Sequence, residues 1–310
     1  MKNLLFVSLI WAISACEPIG QPVSAFTPAA MTQMSHPLAG KIWNVASGAP
    51  INQRDLVWAL DGADLVILGE VHDNPRHHER QAELVESLRP AGLAFEMVPE
   101  GSEEGIEIFR EQGGKPAEIG PAIGWNRLGW PSWDYYKPIF EAAPEAYYAG
   151  GATSSGELIT AIRDGAASAF GPGAGRYRLD ALPDAKTQDA LEEEMILAHC
   201  NKLPRSAARG MAEAQRLRDA RFADATIRAS ASGGGQAVLI TGNGHARTDR
   251  GVPAYLRLSV PELTVLSLGQ VEVVPGAIGI DDYRTEPGLP YDYVWFSARA
   301  ERPDPCASFN

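Results

Sequence analysis

The sequence predicts an α/β fold with a largely parallel central sheet flanked by helices, and three observations carry that prediction. Three short apolar runs, residues 63–68, 93–95 and 236–240, each end in glycine, carboxylate or histidine. Runs that are apolar at nearly every position suit strands buried on both faces, as in parallel sheets. Each run is followed by turn residues and then a helix-like stretch, and that alternation is the pattern of α/β chains. The hydrophobic fraction, 45 %, is enough for a substantial core.

The chain opens with Lys2, an apolar run over residues 4–12, and Ile13-Ser14-Ala15-Cys16. This is a secretory signal with small residues before a lone cysteine, the cleavage pattern of a bacterial lipoprotein. The run is too short to span a bilayer. Residues 1–15 therefore read as a signal peptide and Cys16 as the lipidated residue. Residues 16–36, rich in Pro, Ala, Ser, Thr and Gln, read as a flexible tether, and residues 37–310 as a single α/β domain. The expected location is the bacterial cell envelope, lipid-anchored and either periplasm-facing or in the outer membrane.

Within the domain, helices are expected over 53–60, 75–88, 103–112, 155–164, 185–199 and 205–229. Further strands are expected at 145–149, 263–268 and 291–296. The last alternates in polarity and reads as an edge strand. In the long helix, Gln215, Arg218, Asp219 and Phe222 share one face.

Net charge is −12, a poor balance for binding nucleic acid or an anionic lipid surface. Any membrane contact is expected through the lipid on Cys16. Cys200 and Cys306 are the other cysteines; an oxidising compartment permits them to pair, but two cysteines alone do not establish a bridge. There is no Cys-x-x-Cys, no Gly-x-Ser-x-Gly elbow, no P-loop and no dinucleotide fingerprint. The glycines at 171–175 lack the strand and helix that a phosphate loop needs.

In parallel sheets, ligands bind beyond the carboxyl ends of the strands. Those ends carry Glu70, His72, Glu96 and His245, in two Gly-x-x-His elements and one Phe-Glu-Met. Carboxylate and imidazole suit a divalent metal, and they are also the usual general acid and base. His77 and His78 fall on the first turns of the next helix, and at least one is expected at the surface. His199 lies near a helix end beside Cys200. Residues 125–136 hold Trp125, Trp130, Trp133, Tyr135 and Tyr136, with Gly129 and Pro131 breaking helix. Such a segment serves as core or lid, or as the surface a flat porphyrin wants, and tyrosinate is an axial ligand of ferric haem.

Taken together, Leu68-Gly69-Glu70-Val71-His72-Asp73-Asn74-Pro75 with His77, His78 and Gln81, then Phe95-Glu96-Met97, Trp130-Pro131 through Tyr136-Lys137-Pro138, Met211, Gln215, Arg218 and Asp219, Gly242-Asn243-Gly244-His245 with residues 249–253, and residues 291–296 resemble the ChaN-like haem-binding lipoproteins. The resemblance runs from about residue 36 to 306. It implies a ChaN/erythromycin-esterase-like fold, a role in haem or iron uptake or storage, and a homodimer holding haem with tyrosine on the iron. Tyr136 is the best-placed tyrosine and Tyr135 its near rival, with His72, His199, Gln215 and Arg218 as further haem-binding residues. The wider superfamily, which includes Tiki, TraB and erythromycin esterase proteins, implies an alternative: a metal-dependent hydrolase, peptidase or esterase, using Glu70, His72, Glu96 and His245. In that reading a divalent metal replaces haem as cofactor, held by His72, His245 and Glu70.

Overall fold

A computed structural model describes residues 28–283, 289–304 and 306–307. The signal peptide, Cys16 and the first part of the tether lie outside the described residues. Strands β1 (Met31–Thr32), β2 (Ile42–Asn44) and β3 (Ala49–Ile51) come first, and helix α1 (Gln53–Asp61) leads into β4 (Leu65–Glu70). Next are α2 (Pro75–Leu88), β5 (Gly92–Pro99), α3 (Glu103–Glu111), α4 (Ile119–Ile123), α5 (Trp133–Ala142) and β6 (Tyr147–Ala152). Then come α6 (Ser155–Asp164), α7 (Ala166–Phe170), α8 (Ala185–Ala198), α9 (Arg205–Gly233) and β7 (Ala237–Gly242). The chain closes with α10 (Val252–Ser259), β8 (Val265–Glu272), β9 (Tyr293–Ser297) and β10 (Arg299–Ala300).

Eight strands form one sheet in the order β3-β2-β9-β8-β4-β7-β5-β6, parallel from β9 to β6. The hairpin β2–β3 adds to it antiparallel, and β1 pairs with β10 apart from it. β9 is thus an interior strand, not the edge its alternation predicted, because β2 covers its open side. α5 is also a departure. Ser132 accepts a hydrogen bond from the Asp134 amide and starts a helix directly after Gly129 and Pro131, and the helix accommodates Pro138.

Both faces of the sheet are covered, as the uninterrupted apolar runs require. Val66 and Leu68 of β4 pack under α1, α2 and α5, while Leu65 and Ile67 face α9 and α10. α9 meets the sheet through buried alanines, among them Ala220, Ala223, Ala225 and Ala229. Small side chains bring its backbone close, and a Cβ on Gly92 would stand 2.2 Å from the Ala229 carbonyl. α2 begins where predicted because Asn74 caps it and Pro75 occupies its first turn.

At one edge of the sheet, the middle residue of β3 is Pro50. At the other, the Gly150 amide of β6 donates to Glu103 Oε1 (3.2 Å), and its carbonyl accepts from Arg228 Nη2 (2.8 Å). The C-terminal segment folds back over the sheet's carboxyl end. Arg302 bonds Asp73 (2.6 Å) and both oxygens of Glu272 (2.7 and 2.6 Å). Cys306 is disulfide-bonded to Cys200, with Cα atoms 5.6 Å apart. Among the described residues, no helix is long and apolar enough to cross a membrane.

Candidate functional site

The carboxyl ends of β4, β5 and β7 place Glu70, Glu96 and Gly242 side by side, and the turns beyond them supply His72 and His245. These groups form a line in which carboxylates and imidazoles alternate. Asp219 Oδ1 lies 2.7 Å from His245 Nδ1, and His245 Nε2 lies 3.5 Å from Glu96 Oε1. The same Glu96 oxygen lies 4.0 Å from His72 Nε2, and His72 Nδ1 donates to Glu70 Oε1 at 2.7 Å. The Tyr136 hydroxyl donates to that Glu70 oxygen, also at 2.7 Å.

Glu96 is fixed through its other oxygen, which accepts from the Thr241 hydroxyl and the Gly242 amide, each at 2.7 Å. A side chain at Gly242 would crowd His72, since a Cβ there would lie 3.0 Å from His72 Nε2. Gln215 Nε2 is 3.2 Å from His245 Nδ1, and the Phe222 ring meets the His245 ring edge-on at 4.7 Å between centroids. Arg218, half-buried on the same helix face, adds positive charge near Asp219 and His245.

Burial works against charge on every member of this line, but the alternation outweighs it for most. For Glu70, burial pushes the carboxyl pKa up. The charges of His78 and His72 and the hydrogen bonds from His72 and Tyr136 bring it net below the usual range. Glu96 is likewise brought down, by His245 and His72 and its two fixed donors, against burial. His72 loses by burial and gains more from the Glu70 hydrogen bond and the charges of Glu70, Glu96 and Asp73, so its pKa rises to about 9. His245 is raised by Glu96 and Asp219 despite burial. Asp219 alone among the carboxylates is raised, to about 6, because its burial exceeds what His245 returns. Asp219 and His245 share one proton, and we place it on the imidazole, which has a carboxylate on either side.

The raised pKa of His72 makes a pH prediction. Its folded value lies above the ordinary 6.5, so its contribution to stability is complete below about pH 6.5 and is lost as pH rises through about 9. The side chain is 34 % exposed, so solvent screens part of the effect. Thermal melts from pH 6.5 to 9.5 are expected to show falling stability in the wild type and a flatter profile in His72→Gln. Parallel profiles would rule this out.

Several expected residues sit elsewhere. Tyr136 is fully buried, with its hydroxyl committed to Glu70 and its pKa pushed well above the ordinary value by burial and by that carboxylate. Tyr135 is half-buried, its ring stacked on His78 at 5.0 Å, and its hydroxyl accepts from the Ala29 amide at 3.0 Å. His77 and His78 are both interior, contrary to expectation. His77 joins the Val71 amide to the Ser297 hydroxyl, and His78 donates to the His72 carbonyl while its Nδ1 lies 3.3 Å from Glu70 Oε2. His199 caps α8 by donating to the Met195 carbonyl (2.7 Å) instead of joining the line. Glu70, His72 and His245 do not converge on one point, because both imidazole Nε2 atoms face Glu96 and Glu70 lies on the Nδ1 side of His72. Among the described residues, no group of three or more His, Cys, Asp or Glu is arranged to hold a metal ion. Thr241 carries no signal in the sequence, whereas Asp219 stands both on the helix face with Gln215 and Phe222 and in the family resemblance, without an assigned role.

Residues 56–256 match the family model described as haem-binding uptake, Tiki superfamily, ChaN. The chain belongs to the ChaN family. Every member of the alternating line falls inside the matched span. The fold is similar to that of a solved structure titled "Cofacial heme binding to ChaN of Campylobacter jejuni", with a TM-score of 0.64 and 17 % identity, over 82 % of this chain and 95 % of that one. The type III effector HopBA1 aligns with a TM-score of 0.45 and 15 % identity, over 78 % of this chain and 91 % of that one. No curated protein matches the chain significantly. The expected ChaN-like α/β fold is therefore the fold observed.

Proposed function

We propose that this chain binds haem at the carboxyl end of its sheet, for haem or iron uptake or storage, and is held at the cell envelope by lipid on Cys16. Membership of the haem-binding ChaN family supports the ligand, and the state of His72 carries the choice of site. Its Nδ1 is fixed by a buried carboxylate, which orients the ring and leaves Nε2 as the metal-binding nitrogen once iron displaces the proton that the raised pKa keeps there. Tyr136 does not fit as the iron ligand, since a phenolate there would face the Glu70 charge in full burial.

A cavity lined by Trp130, the ring next to His72, fits a flat apolar acid. The Trp130 ring lies 5.1 Å from the His72 ring and borders a cavity of about 560 Å³ with Met97, Leu128 and Arg127. Two carboxylates in its wall, Glu100 and Glu157, are paired with Arg221. Aromatic and aliphatic surface beside Arg127, which has no carboxylate within 4.0 Å among the described residues, suits a porphyrin bearing carboxylates. A second cavity, about 540 Å³, borders Tyr135 and His78 but carries Glu86, Asp134 and Glu141 besides the Arg76-paired Glu79 and Glu83, and this excess of carboxylates repels such a ligand. When bound, haem supplies a ferric centre; the protein orients the imidazole and covers the porphyrin face.

The test is a titration of ferric haem into the mature chain, followed by visible absorption. Saturable binding is expected, weakened about 10- to 100-fold by His72→Ala and unchanged by Tyr136→Phe once folding is matched. Loss of binding in Tyr135→Phe with none in His72→Ala would move the iron to the tyrosine. No saturable binding by the wild type would overturn the proposal. The anchor is tested by fractionation, with the wild type expected in membranes and Cys16→Ser in the soluble fraction.

One observation favours a second reading, a hydrolase. Glu96 Oε1 stands between two imidazole nitrogens, a setting in which a carboxylate can take a proton from water while an imidazolium gives one to a leaving group. Ester turnover that disappears in Glu96→Gln would support it, and turnover that persists in that variant would remove it.

A further inference from the structure

Arg80 of α2 is 3 % exposed and lies against β9. Its guanidinium carbon sits 4.3 Å above the Trp295 ring, and Nη2 donates to the Phe296 carbonyl at 3.0 Å. Its Nε and Nη1 are buried and meet no acceptor, and neither does the buried indole nitrogen of Trp295. Among the described residues, no carboxylate lies within 4.0 Å of the guanidinium. Glu79 and Glu83 of the same helix project to solvent, where Arg76 holds them at 2.7 and 3.5 Å. The other titratable neighbours add no negative charge: His77 is kept neutral by burial and by Arg80, and Arg302 is engaged by Asp73 and Glu272.

A buried cation without a counter-charge costs several kcal/mol. The unmet groups of Arg80 and Trp295 are all donors, and the guanidinium carries the charge among them. We infer that the contact between α2 and β9 binds a small monovalent inorganic anion, such as chloride or nitrate, against Arg80 Nε and Nη1. The anion neutralises the guanidinium and ties α2, whose first turns carry His77 and His78 beneath the site, to the sheet. This inference is independent of haem.

The experiment is thermal unfolding of the full chain at constant ionic strength, with gluconate replaced stepwise by chloride. A saturable rise in Tm of about 2–4 °C is expected. Arg80→Met is expected to abolish the rise, and Arg80→Lys to keep part of it. Equal Tm in chloride and gluconate for the wild type would overturn the inference, as would an undiminished rise in Arg80→Met. Should Arg80→Met not fold, crystals grown in bromide decide: an anomalous peak beside the guanidinium supports the site, and water alone at that position refutes it.

Discussion

Replacing Glu70 with alanine is expected to lower the unfolding free energy by about 3–5 kcal/mol, the cost of breaking a buried charge pair from one side. Glu70 is 2 % exposed and holds three partners: the His72 ring, the Tyr136 hydroxyl and, at 3.3 Å, the His78 ring. Alanine removes the acceptor of the Tyr136 hydroxyl and of the His72 ring and the charge beside His78, and Tyr136 and His78 are too deep for water to replace the carboxylate. Glu70→Gln keeps the volume and one acceptor and is expected to cost less, about 1–3 kcal/mol. Urea unfolding measures both. A lower midpoint with an unchanged slope is the expected form, and a loss below about 1 kcal/mol in Glu70→Ala would mean that Tyr136 and His78 find other partners.

The second large effect is expected from the disulfide. Cys200 and Cys306 are 106 residues apart in sequence. A covalent link across a loop of that length removes about 4–5 kcal/mol of unfolded-chain entropy. The double variant Cys200→Ser, Cys306→Ser is expected to lose stability of that order and to unfold at lower temperature. The loss should be shared by wild-type protein under reducing conditions. A double variant as stable as the oxidised wild type would mean that the Arg302 bonds to Asp73 and Glu272 hold the C-terminal segment unaided. Because Asp73 follows His72 directly, freeing this segment is also expected to loosen the turn that carries the imidazole.

The residues that form the site were largely legible because their positions follow from topology. A carboxylate or histidine just past a fully apolar strand must lie at the carboxyl edge of a parallel sheet, and Glu70, His72, Glu96 and His245 do. What sequence does not carry is direction within a helix of mixed polarity. Tyr135 and Tyr136 are adjacent and chemically identical, and only the packing of α5 on α2 decides that Tyr136 reaches Glu70 while Tyr135 stacks on His78. The histidines at 77 and 78 look like surface residues of a polar helix start, yet the turn after β4 and the end of β9 close over them. The hairpin β2–β3 escaped notice because strands of three residues, one holding Pro50, have too little period to read. α5 escaped because its prolines resemble breaks, although Ser132 marks its start.

The two margins of the sheet bear on how copies of this chain can meet. An open strand edge is an invitation to polymerise, since a second molecule can extend the ladder. Here Pro50 removes an amide at one margin, and Glu103 and Arg228 occupy the Gly150 amide and carbonyl at the other. Continuous ribbons running from molecule to molecule are blocked at both ends. The homodimer that the family resemblance implies is therefore expected to be built from surfaces other than these two margins. Such contacts can form and part without reopening the sheet.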